Sequence, residues 1–308
     1  MDAHMDAPSA QLHLEIRDAM SRKLATRRPI LHHLNADTSW LLQIPRPASA
    51  VRHGSRIYYN ILIDPWLTGP QSDVARWFSQ QWHAIESAVK TIAEVEEIAR
   101  QVEILAGGLR LGKRRISNLE AGAGVETFID AVAISHEFTD HCHKDTLLEV
   151  HPDVPVFATE RASLSIYGEE EPSNTSEAAE CVIYTPHGIP YSSLEPIAQA
   201  DPPLQTLAFL HGLHDVSISA AQQLNLGAKN GVLAQRVLRA KYWVGTHDEV
   251  KKGGGLVAWF LRRKIWTLEE ALKEARAIGD GEDTDMDGDE FEDVHFEDIG
   301  NGDSRVLE

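Results

Sequence analysis

The segment Ala131-Val-Ala-Ile-Ser-His-Glu-Phe-Thr-Asp-His-Cys-His-Lys144 sets an apolar run directly against a dense group of metal-capable side chains. Ala131 to Ile134 are too few for a helix and read as a buried strand ending at Ser135. His136, Asp140, His141 and His143 follow at once, and a helical pattern begins at about Lys144. Imidazoles and a carboxylate gathered at a strand end combine nitrogen lone pairs with an anionic oxygen. A borderline-soft divalent ion such as zinc selects that donor set. The other reading is a histidine-rich surface loop that holds nothing.

Short apolar strands and helical stretches alternate along the rest of the chain. Ile30–Leu34 and Trp40–Ile44 read as two strands joined at Asn35-Ala36-Asp37, where Asn and Asp suit a tight turn. Period-two alternation predicts that only one of His32 and His33 points inward. Arg56 to Ile63 forms the next strand and ends in Asp64-Pro65-Trp66-Leu67. Helical spacing of Val74, Trp77, Phe78 and Trp82, then of Ile85, Val89, Ile92, Val95 and Ile98, predicts a helical region from Gln71 to Ala106 with its tryptophans in the core. Asp153–Thr159, Cys181–Thr185 and Lys241–Val244 read as further strands, and strand–loop–helix–strand is an α/β signature. Thr267 caps a closing helix from Trp266 to Ile278. Lys251 to Gly255 reads as a mobile loop.

Two motifs are imitations. Gly107 to Arg114 copies a phosphate-binding loop, but Arg114 stands where Ser or Thr must hold magnesium. Asp283 to Gly288 copies the start of a calcium loop, yet Val294 occupies the twelfth position, which needs a bidentate Glu.

Charge narrows the partners. The 308 residues carry 29 Lys and Arg against 47 Asp and Glu, a net −18 that disfavours nucleic acid and anionic membrane surfaces. Much of it lies between Asp280 and Asp298, which contain no Lys or Arg. The expected organisation is an arm at 1–28, one domain at 29–278 and a disordered acidic tail at 279–308. Cys142 and Cys181 alone suit a reducing compartment, no secretory signal is recognisable, and no run is long enough to span a bilayer. The expectation is a cytoplasmic protein with a small-molecule substrate.

His136-Glu-Phe-Thr-Asp140-His141, between a buried strand and a helix, resembles the His-x-His-x-Asp-His loop of the metallo-β-lactamase superfamily, with Phe138 in place of the second histidine. A second register, His141-Cys-His-Lys-Asp145-Thr146, keeps two histidines and the aspartate, but it moves the motif away from the strand end. The opening hairpin, the Asp64-Pro65 strand end and the late strand closing on Thr246-His247-Asp248 fit the same resemblance. It implies a four-layer αβ/βα sandwich with a helical insertion at about 71–106. It also implies a hydrolase of small esters, lactones or lactams, working through zinc (or iron or manganese) as one or two ions that activate water.

In that picture His136, Asp140, His141 and His247 are ligands, and Asp140 also orients the attacking water. His143 stands in for the histidine missing at 138. His187, His211 or His214 supplies a ligand from the second half, and Asp215 the bridging carboxylate. Asp64 and Asp248 lie behind the ligands and orient them. The loss at position 138 favours a single or weakened ion site. The alternative is a binding or scaffold protein that keeps the fold without catalysis.

Overall fold

A strand that is apolar on both faces needs cover on both sides. The computed structural model describes residues 22–51, 56–108, 126–158, 164–167, 179–219, 222–279 and 294–308, and its two main sheets are built of such strands. Most of the N-terminal arm, most of the phosphate-loop imitation and nearly all of the calcium-loop imitation lie outside the described residues.

The first sheet runs in the order β16 (Ser304–Val306), β1 (Ile30–His33), β2 (Trp40–Pro45), β3 (Tyr58–Ile63), β5 (Ala131–Ile134) and β6 (Val156–Ala158). The second runs β15 (Phe296–Glu297), β12 (Tyr242–Val244), β9 (Leu204–His211), β8 (Ala179–Thr185) and β7 (Leu164–Tyr167). Parallel pairing joins β3 to β5 and β5 to β6, and likewise β8 and β12 to β9.

Alternation assigns the layers. Leu42, Ile61, Ile63 and Ala133 of the first sheet meet Val182, Tyr184, Leu210 and Val244 of the second in one buried cluster between the sheets. The intervening residues Leu41, Leu62, Val132 and Ile134 face the other way, onto helix α1 (Ile92–Gly108). Likewise Ile183, Phe209 and Trp243 pack outward against helices α3 (Ala228–Leu238) and α4 (Leu268–Gly279). The fold is therefore a four-layer αβ/βα sandwich. A fourth helix, α2 (Lys144–Leu147), is a single turn after the β5 loop.

Caps set the helix starts where local chemistry calls for them. Glu270 N donates to Thr267 Oγ1 at 3.2 Å while Thr267 N donates to Glu270 Oε2 at 2.9 Å, a reciprocal capping box ahead of α4. Thr91 accepts from Glu94 N at 3.3 Å ahead of α1. No helix among the described residues is long and apolar enough to cross a membrane.

Four expectations change. The helical region predicted from Gln71 begins only at Ile92. Before it the chain forms loops and a short strand, β4 (Gln80–Trp82), with Val74 and Trp77 exposed and Trp82 partly so. Their helical spacing came from surface residues, not from a buried stripe. The stretch read as mobile contains strand β13 (Lys252–Gly254), antiparallel to β4. His32 and His33 are both buried, because α1 covers one face of β1 and the second sheet covers the other.

The last correction concerns the chain end. Beyond the acidic run, residues 294–308 supply an edge strand to each sheet, and Ile299 and Leu307 enter the inter-sheet core. At the other end, Leu24 of the expected arm is buried beside α1. A third small sheet orders β11 (Gln222–Asn225), β10 (Asp215–Ile218) and β14 (Leu261–Lys264).

Two stability outcomes follow. Leu307 is fully buried, so Leu307→Ala should lower the unfolding free energy by about 2–5 kcal/mol in urea titrations, where a disordered tail would show no change. His32 lies between Ser304 Oγ at 2.6 Å and Gln43 Oε1 at 2.7 Å, and burial pushes its imidazole from 6.5 down to about 4 despite the Gln43 bond. Between those pH values only the unfolded chain takes up the proton. The His32 contribution is thus complete above 6.5 and is lost as pH falls toward 4, by about 3 kcal/mol. Unfolding free energies at pH 7 and pH 4.5 should differ less for His32→Gln than for the natural sequence.

Candidate metal centre

Parallel pairing sends strand carboxyl ends in a common direction, the end at which open α/β sheets hold ligands. Here β3, β5, β8 and β12 each continue into a side chain at the seam between the sheets: Asp64, then the 136–141 loop, His187 and His247.

Asp64 is the floor. It is fully buried in a left-handed backbone conformation, with φ +43. Oδ1 accepts from Ser135 N at 2.7 Å, and Oδ2 accepts from Tyr184 OH at 2.8 Å and from His141 Nδ1 at 2.7 Å. That last bond fixes the His141 tautomer, with hydrogen on Nδ1 and a lone pair on Nε2. Burial alone would lower the His141 pKa, but Asp140 and Asp64 hold it above its ordinary value. The position attracts positive charge.

His187 comes from the turn after β8. Gly188 makes that turn at φ +75, where an added Cβ would lie 2.6 Å from Leu226 O and 2.9 Å from His211 Cε1. The turn aims His187 Nε2 at His141 Nε2, 2.7 Å away. Burial, together with His141 and His247, keeps the His187 pKa well below the usual range, so this ring is neutral. Two imidazole lone pairs that close repel unless a proton or a cation lies between them.

His247 is the third imidazole, with its ring centroid 5.0 Å from those of both His141 and His187. It too is left-handed, at φ +60, a conformation costing a non-glycine residue about 1–3 kcal/mol. Its backbone N donates to Asp37 O at 3.0 Å, and its Nδ1 donates to Asp37 Oδ1 at 3.1 Å. Nε2 again keeps the lone pair. Ligand atoms of His141, His187 and His247 all lie within 4.8 Å of one another.

A second group adjoins the first. Asp37, Asp140 and His247 also place ligand atoms within 4.8 Å of one another. Lys251 Nζ sits among them, 2.6 Å from Asp37 Oδ2, 2.8 Å from Asp140 Oδ2 and 3.4 Å from His247 Nδ1. Its side chain is 6% exposed. Burial disfavours the ammonium, yet Asp140 and Asp37 raise its pKa. In return Lys251, with His141 and His247, overcomes the burial of Asp140 and holds its carboxyl well below the ordinary range.

Nothing in the sequence marks Asp37 or Lys251 as a site residue. Asp37 does sit in the expected turn, where Asn35 Oδ1 accepts from Asp37 N at 2.9 Å. An aspartate there satisfies turn chemistry whether or not its carboxylate goes on to a site. Lys251 stands beside an exposed Lys252, and nothing local separates the two.

Other expected residues lie elsewhere. His136 flanks the cluster, stacked on His187 at 4.8 Å, and its Nδ1 accepts from Phe138 N at 3.1 Å. That bond engages its lone pair within its own loop, so it does not join the converging set. His143 turns away, bonds Thr146 Oγ1 at 3.0 Å ahead of α2 and faces Trp66; it does not replace the histidine missing at 138.

His211 is buried under the His187 turn, 3.1 Å from Thr185 Oγ1 and 3.2 Å from Gly227 O, with burial lowering its pKa to about 4. Asp215 lies outside both converging groups, accepting from Gly227 N at 2.9 Å and Trp266 Nε1 at 2.6 Å. Asp248 does not orient a ligand either. It accepts from Leu213 N at 2.7 Å and His214 N at 2.8 Å, and burial raises its pKa to about 6. His214 pairs with Arg263 at 3.0 Å.

These features define a class: an αβ/βα sandwich with a histidine–carboxylate cluster at one seam of its sheets. No protein-family model matches the sequence, and no curated protein matches it. Among solved structures the fold resembles a possible metal-dependent hydrolase from Veillonella parvula, at 11% identity over 91% of this chain and 100% of that one, with TM-score 0.48. An isothiocyanate hydrolase from Delia radicum gut bacteria is similar at 12% identity over 91% and 99%, with TM-score 0.42. A metallo-β-lactamase-fold protein from Bacillus subtilis is similar at 10% identity over 90% and 99%, with TM-score 0.37.

Asp64→Asn keeps the shape of the floor but weakens the acceptor for His141 Nδ1. Zinc affinity, read by competition with a chromophoric chelator, should fall about 10–100-fold. Unchanged affinity would mean that Asp64 only braces Ser135 and Tyr184.

Proposed function

We propose that the protein is a metal-dependent hydrolase of small-molecule esters, lactones or lactams, with His141, His187 and His247 holding a single ion. The observation that carries this is the convergence of three imidazoles, two of which have Nδ1 committed to buried carboxylates and Nε2 turned to a common point. Neutral nitrogen donors suit zinc and also accept iron or manganese. Bound there, the ion would polarise a carbonyl and supply an activated water.

The remaining work falls to the chain. Asp140 Oδ1 lies 3.7 Å from His141 Nε2 and Oδ2 lies 4.0 Å from His247 Nε2, so this carboxylate borders the point of convergence. Its low pKa makes it a poor proton store and a good fixed acceptor, suited to orienting a water. Asp64 and Asp37 hold the imidazoles in the tautomers that present Nε2. Phe138, 37% exposed, lies tilted against His136 with ring centroids 4.2 Å apart and adds an apolar edge beside the cluster, which fits an uncharged acyl group better than a polyanion. The net charge of −18 favours the same substrate class.

A binding protein of the same fold would share this shell, and metal content separates the two readings. Purified protein should contain close to one equivalent of zinc, iron or manganese. Chelation should abolish hydrolysis of a lactone and aryl-ester panel, and readdition should restore it. His187→Ala should lose the ion and at least about 100-fold in kcat/KM. Metal-free protein whose thermal stability ignores both chelator and added zinc would point to the non-catalytic fold-mate.

A further inference from the structure

Two ligand groups share His247, and they differ in what surrounds them. The three-imidazole group faces lone pairs at one another, whereas the Asp37–Asp140–His247 group already encloses a positive charge, the ammonium of Lys251. We propose that Lys251 is a tethered cation that occupies a second, carboxylate-lined cation position and so restricts the centre to one metal ion. The inference rests on the metal-binding reading above and concerns how many ions that centre admits.

Several observations place the ammonium there by construction. Its chain segment is pinned: Glu249, buried, accepts from Ala84 N at 2.6 Å, from Ile85 N at 3.0 Å and from His83 at 2.7 Å. Lys251 N then donates to Glu249 O at 3.1 Å, turning the side chain inward, and Nζ lies 5.4 Å from the centre of the buried Trp66 ring. Asp37 Oδ2 is buried and lies 2.6 Å from Nζ, so the ammonium is the charge set against it. Two buried carboxylates carry two negative charges, and the Lys251 ammonium sets one positive charge against them. A single ammonium leaves net negative charge in the pocket, which the neighbouring ion would balance. If the ammonium were absent, the carboxylate oxygens of Asp37 and Asp140 would form a hard, anionic site for a second divalent ion.

The test is the number of ions per chain, read by elemental analysis and by zinc and manganese titration, independent of catalysis. Protein of natural sequence should bind one equivalent, Lys251→Ala two, and Lys251→Ala with Asp37→Asn one again. Should Lys251→Ala fold poorly without metal, the natural protein still decides. With lysine side chains labelled with nitrogen-15, the ammonium signal assigned to Lys251 by its loss in Lys251→Arg should stay protected from solvent exchange after one equivalent is loaded. Two equivalents in the natural protein, or one in both it and Lys251→Ala, would overturn the inference alone. A Lys251 signal released to solvent on loading would overturn it as well. No metal in any variant would instead overturn the metal-binding reading, and this inference with it.

Discussion

Three carboxylates, Asp37, Asp64 and Asp140, lie at the seam of two sheets with side chains 0%, 0% and 10% exposed, and their need for partners organises this end of the molecule. An ion transferred from water to such a place costs several kcal/mol unless it is paired and hydrogen-bonded. Asp64 collects Ser135, His141 and Tyr184; Asp37 collects His247 and Lys251; Asp140 takes Lys251. Ser135 and His141 arrive on the segment after β5, Tyr184 on β8, and His247 and Lys251 on the segment after β12. Charge compensation thereby ties β3, β5, β8 and β12 to the opening hairpin.

That tie coincides with strained backbone, although Arg27, Val74, Ser219 and Arg239 are left-handed elsewhere. Asp64 and His247 are both left-handed without being glycine, and Gly188 turns the chain under His187. The sheets hold them, because Trp40, Trp243, Tyr184 and Phe209 are buried in the layers immediately below and fix the strand ends in place. Rigid strands with short irregular ends give a site whose donors can be set to within a few tenths of an ångström.

How far the sequence reveals this depends on range. The strand ending at Ser135, the turn at Asn35 to Asp37, the Thr267 cap and the parallel return after β5 are local and were legible from a few neighbouring residues. So was the gathering of His136, Asp140 and His141 at a strand end. Helical spacing misled between Gln71 and Thr91, because Val74 and Trp77 are surface residues of loops, where periodicity has no meaning. Composition misled at the chain end, since an acidic run says nothing about the two short strands beyond it.

By itself the sequence determined a two-faced strand pattern, hence a layered α/β sandwich, and the presence of a metal-capable loop. Tertiary structure decided which groups meet. It chose His187 over His136, His143 and His211, gave Asp37 a partner 210 positions away in His247, and buried Lys251 while leaving Lys252 in solvent. The reason is one of scale. Alternation and capping are written within four or five residues, whereas a cation pocket requires ångström convergence of side chains from both ends of the chain, a distance that no local pattern records.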